Sequence, residues 1–448
     1  MARFDLAVVG TGQGGKPLAY DYAAAGKRVV IFERGAVGGC CINVGCTPSK
    51  AFLASAHAAG RARRAAAIGV HADVRVDFPA VMERVRGVIA TWRSGSEARL
   101  DVANITLVRA EAAFAGPHAL LAGGERYEAD AIVLDTGGSA AHPPIPGLAG
   151  TPYLTNENFF EQTSLPARTI VIGGGYVGLE LGQGLARCGS AVTIVNNVER
   201  VLPNEEPDAS AALELALRND GIALQMPAQV QRVRHADGIF AVTLADAVVL
   251  EAEALLVATG RTPNIPPGAV DAGLKLDRRG YVAIDDRFAT SLPNVYAIGD
   301  CAGQPQFTHV AWEDYRRIKA ILHGDRSRTR ADRVLGYTTF TEPQVGRAGL
   351  TLEAALATGR DARAVTLPLG DVARAVEWNE TNGFYRLVVD TNTDAILGAT
   401  LVGYEAGELV HVFIAHMEAA GTWRTLERSV HIHPTYAEGL PSLARLLI

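Results

Sequence analysis

Phe4-Asp5-Leu6-Ala7-Val8-Val9-Gly10-Thr11-Gly12-Gln13-Gly14-Gly15, followed by a helical stretch from Leu18 to Gly26 and then by Arg28-Val29-Val30-Ile31-Phe32-Glu33, decides the fold of this chain. An apolar run of this length bounded by glycines is a buried strand. Gly10, Gly12 and Gly15 form a G-x-G-x-x-G turn, which lets the backbone approach a pyrophosphate drawn to the helix N-terminus. Glu33 closes the second strand near the spacing at which an acid holds a ribose 2′-hydroxyl. A lone glycine triplet is weak, but one framed by two apolar strands and ending in Glu points to a bound dinucleotide.

The pattern recurs in Thr169-Ile170-Val171-Ile172-Gly173-Gly174-Gly175-Tyr176-Val177-Gly178, with Ala191-Val192-Thr193-Ile194-Val195 as its second strand. Here Gly173, Gly175 and Gly178 form the turn. Asn196 and Asn197 stand where the acid would be, and Arg200 follows. A carboxylate there would bind the 2′-hydroxyl of NAD and repel the 2′-phosphate of NADP. Its absence admits NADPH, with Arg200 a candidate phosphate partner, and still leaves NADH open.

Between the two units lies Gly38-Gly39-Cys40-Cys41-Ile42-Asn43-Val44-Gly45-Cys46-Thr47-Pro48-Ser49-Lys50. A disulfide closing so short a ring stabilises a fold by only about 2 kcal/mol on the loop-entropy model. On an ideal helix, five residues turn two side chains roughly 140° apart. A Cys41–Cys46 bond therefore needs a distorted turn, which Gly45 permits. Such a bond opens readily, as suits a disulfide that is broken and remade; the pair alone reads equally well as two inert thiols. Two dinucleotide units with a dithiol between them specify a relay. One unit holds FAD, the other admits a nicotinamide, and electrons pass from flavin to disulfide.

On these residues the chain resembles the class I pyridine nucleotide-disulfide oxidoreductases, the glutathione reductase, lipoamide dehydrogenase and mercuric reductase group, over essentially its whole length. The resemblance implies that Cys41 is the interchange thiol and Cys46 the charge-transfer thiol against the flavin. Cys40 is extra, since the family has a small or β-branched residue there. Lys50 matches the lysine near the flavin N5, and Glu180 its acidic partner; a cation there stabilises anionic reduced flavin. Tyr176 matches an aromatic gate over the flavin. Asp300, in Ala297-Ile298-Gly299-Asp300, matches the second FAD segment. Thr136-Gly137-Gly138 and Ala258-Thr259-Gly260-Arg261 match turns where the chain passes between domains, organisational rather than catalytic marks.

His433-Pro434-Thr435, with Glu438 following, matches the family's acid–base pair. Thiol–disulfide exchange needs a base for the attacking thiol and an acid for the leaving one, and a histidine oriented by a carboxylate does both. His431 lacks the match, alternates with His433, and would point away from it on a strand. In the family this pair reaches the other subunit's cysteines, so a homodimer is implied.

The chain of 448 residues, 48% hydrophobic with 47 glycines, fits an α/β protein of about three domains. The expected fold is two doubly wound Rossmann-like dinucleotide-binding domains plus a C-terminal α+β dimerisation domain. The expected boundaries are 1–148 and 265–330 for FAD, 149–264 for NAD(P) and 331–448 for the interface. Antiparallel strands are expected at Tyr337-Thr338-Thr339-Phe340, 384–390 and 396–403, with a turn at Asn392-Thr393-Asp394. A helix is expected from Ser49 to Ala67, whose Arg61, Arg63 and Arg64 read as a solvated face.

A net charge of −6 argues against nucleic-acid or membrane-surface binding. No apolar run is long enough to span a membrane, the first one reads as a strand rather than a leader, and five cysteines fit a reducing cytoplasmic setting. No metal-ligand spacing is present.

The substrate is read from departures. Glutathione reductases carry an arginine pair where this chain has Tyr20 and Asp21. Mercuric reductases carry a cysteine pair in the tail, a tyrosine at the position of His433 and an N-terminal metal-binding domain; none is found here. The expectation is an NAD(P)H:disulfide oxidoreductase acting on a small disulfide or an oxidised sulfur compound, of the mercuric-reductase-like branch without its mercury equipment. Alternatives are dihydrolipoamide dehydrogenase, a mercuric-ion or quinone reductase, and a non-catalytic FAD-binding sensor.

Overall fold

The computed structural model describes residues 3–325 and 327–448. The strand Arg3–Val9 lies at the centre of a seven-stranded sheet, paired in parallel with Val29–Phe32 on one side and Glu125–Leu134 on the other. Ile105–Val108 and Val295–Ala297 extend it in parallel, and Ala113–Phe114 and Ala119–Ala122 add an antiparallel ribbon. The near-continuous apolar runs of the central strands follow from burial on both faces. Helices α1 (Gly15–Ala24) and, much later in the chain, Thr308–Leu322 cover one face through Leu18, Tyr22, Ile318 and Ile321. The ribbon and residues from Ala269 to Ala302 cover the other.

The second unit is a smaller parallel sheet in the order Ala223–Gln225, Ala191–Val195, Arg168–Ile172, Ala254–Val257. A three-stranded antiparallel sheet, Val230–Ala236, Ile239–Leu244 and Val249–Ala252, lies against it. Gly138–Ala140 and Arg261–Pro263 pair antiparallel, so both chain passages between the halves run through one short ribbon. The C-terminal part is a five-stranded antiparallel sheet in the order Gly336–Thr339, Gln344–Gly349, Ile396–Gly403, Phe384–Asp390, Ala362–Pro368. Residues Thr391–Ala395 turn between two of these strands.

What places the site is a helix crossing. After the short α2 (Gly39–Asn43), α3 (Cys46–Arg64) packs with α4 (Phe78–Leu100) against α5 (Tyr176–Cys188), burying Phe52, Ala56, Met82, Leu181 and Leu185 in one core. Small residues let the backbones approach. A Cβ on Gly184 would run into the Phe52 ring, and one on Gly60 would meet Arg187 Cδ at 2.8 Å. Helix α3 carries Cys46 and Lys50 and α5 carries Glu180, so this crossing sets their separation.

Two expectations need amending here. The Arg61, Arg63 and Arg64 run is solvent-exposed as expected, but its guanidinium groups are also paired within the chain. Arg61 Nε donates to Glu342 Oε1 at 2.7 Å, Arg64 Nη2 to Glu342 Oε2 at 3.1 Å, and Arg63 to the Arg187 carbonyl. Buried Arg187 also pairs with Glu342, and with Asp220 at 2.8 Å. Glu342, held well below the carboxylate range by His57 and these arginines against the cost of burial, thus ties α3, α5 and the C-terminal domain together. The second correction concerns residues 430–433, which form no strand; His431 Nε2 instead lies 2.8 Å from Ser429 Oγ. Among the described residues, no helix is long and apolar enough to cross a membrane.

Candidate active site

The redox loop sits on the first glycine turn. Gly38 (φ +116°) and Gly39 (φ +64°) adopt left-handed backbone, and a Cβ on Gly39 would meet Gly12 Cα at 3.0 Å. Asn43 braces the loop: its Nδ2 donates to the Gly39 carbonyl at 2.9 Å, and its Oδ1 accepts from Arg93 Nε at 2.8 Å. Cys41 lies in α2 and Cys46 opens α3, with the break between the helices at Val44 and Gly45. A Cβ on Gly45 would meet the Cys40 carbonyl oxygen at 2.9 Å, which explains glycine there. The thiols are not bonded in this structure.

Cys46 is the one cysteine of the five whose thiol is pulled below its ordinary value. The largest cause is a hydrogen bond from Cys41; Thr308 hydroxyl, 3.1 Å from Cys46 Sγ, and the Lys50 charge add to it against burial. Its place in the first turn of a nineteen-residue helix favours the same form. Cys41 is raised because it keeps the shared proton. Burial pushes Cys188 and Cys301 up to about 11 each. Cys40 is raised by burial as well, although Arg261 Nη1 donates to its sulfur at 3.2 Å.

Lys50 Nζ lies 2.7 Å from Glu180 Oε2, and this carboxylate also accepts from the Phe340 amide at 2.9 Å. The Phe340 ring is 4.5 Å from Lys50 Nζ, and its carbonyl is 3.2 Å from His57 Nε2. Phe340 therefore touches both partners of the pair, from a third part of the chain. Tyr176, at the start of α5, has its ring 5.9 Å from that of Phe307, and burial pushes its hydroxyl up to about 12.

A single cavity of about 1890 Å³ is lined by Gly10, Gly12, Glu33, Cys41, Cys46, Lys50, Thr136, Gly137, Asp300, Gly173, Gly175, Tyr176, Glu180, Asn196, Asn197 and Gly260. It joins both glycine turns to both cysteines, so the sequence's candidates converge. The first turn lines the cavity through Gly10, Gly12 and Glu33, and its glycines are set by packing within the chain. A Cβ on Gly10 would strike the Asp135 carbonyl, one on Gly12 would meet Asp135 Oδ2 at 2.5 Å, and one on Gly15 would meet Val8 Cγ1 at 2.7 Å. At its edge Glu33 accepts from the Thr11 amide at 3.2 Å and from Gly35 N at 2.8 Å. In the second turn Asn196 Oδ1 accepts from Gly174 N at 3.2 Å, while its Nδ2 donates to the Arg200 carbonyl at 2.9 Å. A Cβ on Gly178 would strike the Gly173 carbonyl.

Other candidates lie off the cavity lining, Gly15 and Gly178 among them because they are packed inside their turns. Arg200 does not line the cavity; its Nη2 donates to the Pro203 carbonyl at 3.0 Å. His433 Nδ1 and Glu438 Oε2 are 2.8 Å apart, as an oriented acid–base pair requires, but the histidine is 74% exposed and neither residue lines the cavity of its own chain. Tyr20 and Asp21 are half-buried away from the cavity, engaged with Ser96 and Lys319. The sequence reading missed Thr308, Phe340, Asp135 and Arg261. Arg261 pairs with Asp300 at 3.0 Å as well as with Cys40, so the turn it follows belongs to the site and is more than an organisational mark.

Comparison with known proteins agrees with this geometry. The profile of the family described as pyridine nucleotide-disulphide oxidoreductase matches residues 4–314, and that family's dimerisation domain matches residues 336–444. The chain is 31% identical to the probable pyridine nucleotide-disulfide oxidoreductase RclA of Escherichia coli, covering all of both. It is 33% identical to a dihydrolipoyl dehydrogenase of Thermus scotoductus over 100% of this chain and 98% of the relative. It is 32% identical to a mercuric reductase of Bacillus cereus over 98% of this chain and 70% of the relative. The structure described as the Cu(II) complex of the HOCl-induced flavoprotein disulfide reductase RclA from Escherichia coli superimposes with a TM-score of 0.91 at 30% identity, covering all of both chains.

Proposed function

The chain belongs to the pyridine nucleotide-disulphide oxidoreductases, and from that premise we propose that it is an NADPH-preferring reductase of a small disulfide or an oxidised sulfur compound. It is an FAD- and NAD(P)H-dependent disulfide oxidoreductase, and its dimerisation domain makes it a homodimer. The observation that carries the finer reading is the one cavity in which Cys41, Cys46, Lys50 and Glu180 lie between two glycine turns, the second lacking an acid.

The bound groups supply the redox chemistry: NAD(P)H brings a hydride, and FAD passes two electrons to the disulfide. The chain does the rest. Gly10, Gly12, Gly15 and Glu33 would hold FAD, with Thr136, Gly137 and Asp300 lining the same cavity. Gly173, Gly175, Gly178, Asn196, Asn197 and Gly260 hold the nicotinamide dinucleotide, and Tyr176 covers its entry. Asn196 turns an amide, not a carboxylate, toward the second turn, which removes the charge that would repel a 2′-phosphate. Arg200 takes no phosphate role in this reading, since it lies off the cavity.

Lys50, fixed by Glu180 and Phe340, places a cation beside the redox centre. Cys46, favoured as thiolate, would lie against the flavin, and Cys41 would attack the substrate sulfur. The leaving thiol takes its proton from the His433 imidazole, which Glu438 orients through the Nδ1 contact. The partner subunit supplies that pair, because His433 is exposed and outside its own chain's cavity.

RclA is described as an HOCl-induced disulfide reductase, and this chain has Tyr20 and Asp21 where an arginine pair would suit a tripeptide disulfide; both favour an oxidised sulfur species of the hypothiocyanite type as substrate. Dihydrolipoamide oxidation is the second reading, favoured by the 33% identity to a dihydrolipoyl dehydrogenase. Steady-state turnover with NADPH against a panel of small disulfides, hypothiocyanite, lipoamide and mercuric ion tests the assignment. Replacement His433→Ala should cut disulfide turnover by about 100-fold or more while flavin reduction by NADPH persists. Equal loss of both half-reactions would overturn the role given to His433.

A further inference from the structure

Asp135 follows directly on the strand Glu125–Leu134 at the centre of the flavin sheet, its amide donating to the Val9 carbonyl at 2.9 Å. It is 6% exposed, and its carboxyl group turns onto the first glycine turn. Oδ2 accepts from the Gly15 amide at 2.6 Å, and the Gly12 backbone approaches so closely that a Cβ there would meet Oδ2 at 2.5 Å. The same residue lines the cavity shared by both glycine turns. A carboxyl group thus occupies an amide in the first turn of α1, the helix end that attracts a dinucleotide phosphate.

The second unit shows that the fold does not require this acid. Gly10 is packed against the carbonyl of Asp135 in the way that Gly173 is packed against that of Ala258, and both are followed by Thr-Gly. The nicotinamide turn therefore has a methyl group where the flavin turn has a carboxyl. The charged surroundings are mixed. Asp300 and Asp314 face Asp135 from the segments after Ala297 and add negative charge. Their own counter-ions are Arg261, 3.0 Å from Asp300, and Arg333, 2.5 Å from Asp314. Lys16 of α1 adds a cation, bound to Ser96 at 3.1 Å, and Glu33 lies across the turn on Thr11. Cys301 approaches from the same side as Asp300.

We propose that Asp135 is a proton-linked determinant of FAD binding: the site accepts the anionic pyrophosphate with the Asp135 carboxyl in its acid form, so FAD binding takes up a proton from solvent wherever the free site has lost it. This rests on the assignment of FAD to the first glycine unit. A carboxylate and a pyrophosphate on one helix end repel each other at short range in a partly desolvated site. The acid form removes that charge and presents an O–H donor. Burial already pushes Asp135 up to about 7, against the pull of the Gly15 amide, and a neighbouring phosphate pushes in the same direction as burial. Below about pH 7 the proton is already in place and affinity is level; above it the affinity falls as the proton must be supplied.

The test is FAD release from the holoenzyme, dithiol oxidised, followed by free-flavin fluorescence from pH 5.5 to 9. The expected result is a dissociation constant level below about pH 7 and rising up to about tenfold per pH unit above it. In Asp135→Asn, or in Asp135→Ala with the side chain the second unit tolerates, the slope should vanish. Glu33→Ala should weaken FAD at every pH and keep the slope. A flat wild-type profile, or a slope retained in Asp135→Asn, overturns the proposal alone. If Glu33→Ala leaves FAD affinity unchanged, the assignment of FAD to this unit fails, and the proposal with it. Should both Asp135 variants fail to fold, calorimetry of FAD rebinding to wild type at pH 8 in two buffers decides: about one proton taken up supports the proposal, and none overturns it.

Discussion

In the first glycine unit Glu33 reaches back to the turn through the Thr11 amide, whereas in the second Asn196 reaches back through the Gly174 amide. The two backbones repeat each other: Gly15 and Gly178 pack on the carbonyls of Gly10 and Gly173, and on Val8 and Val171. At the end of the neighbouring strand the first unit has Asp135 and the second Ala258. A duplicated scaffold thus carries two acids in one copy and none at the matching places in the other. On the proposed reading, the fold sets where a dinucleotide lies, and a few side chains at strand ends set which one and how tightly.

The largest expected effect falls on the acid-bearing unit. Glu33→Ala removes a carboxylate that braces the turn and, on the proposed reading, would hold the ribose, so FAD affinity should drop by about 100-fold, with nicotinamide binding unchanged. Equilibrium dialysis of both nucleotides checks this. Equal weakening of both would mean that Glu33 supports the fold rather than one site.

Joining the units depends on the α3–α5 crossing. Gly184→Ala pushes a methyl group into the Phe52 ring and should cost about 1–3 kcal/mol, read from the denaturant midpoint. An unchanged midpoint would show that the Phe52 ring yields without cost.

Converting the second unit toward the first is the next step. Asn196→Glu places an acid at the end of its second strand. It should raise KM for NADPH by about tenfold and leave that for NADH nearly constant, reversing the preference. If both constants move together, the acid acts on the turn and not on the 2′-phosphate.

The smallest effect lies between the units. Thr308→Val removes a hydrogen bond that stabilises the Cys46 thiolate. The thiolate is the form present above the group's pKa, so the thiolate-to-flavin absorbance fades as pH falls. In the variant its midpoint should move upward by up to about one unit, equivalent to ~1.4 kcal/mol. A pH titration of that absorbance reads the shift.

Both glycine turns, their flanking strands and the dithiol were legible in the sequence because they are local patterns: each rests on spacing within a few dozen residues. Lys50 and Glu180 were legible only through family resemblance, since spacing gives no sign that α3 crosses α5. Thr308 reaches Cys46 across 262 residues, and Phe340 reaches Glu180 across 160, with no local signature in either case. The Arg61–Arg64 run faces water as its charge suggested, but nothing local showed that buried Glu342, 281 residues from Arg61 and 278 from Arg64, gathers both. Asp135 stood one residue before a turn read as organisational, and only the packing of Gly12 and Gly15 against its carboxyl shows what it adds.

The central claim is that one cavity couples a nicotinamide unit and a flavin unit to the Cys41–Cys46 dithiol. Anaerobic titration of the purified holoenzyme with NADPH and, separately, NADH, followed by absorbance, tests it most directly. The account predicts a long-wavelength thiolate-to-flavin band that is complete at two electrons per flavin and forms faster with NADPH. Direct bleaching of the flavin without that band would contradict it.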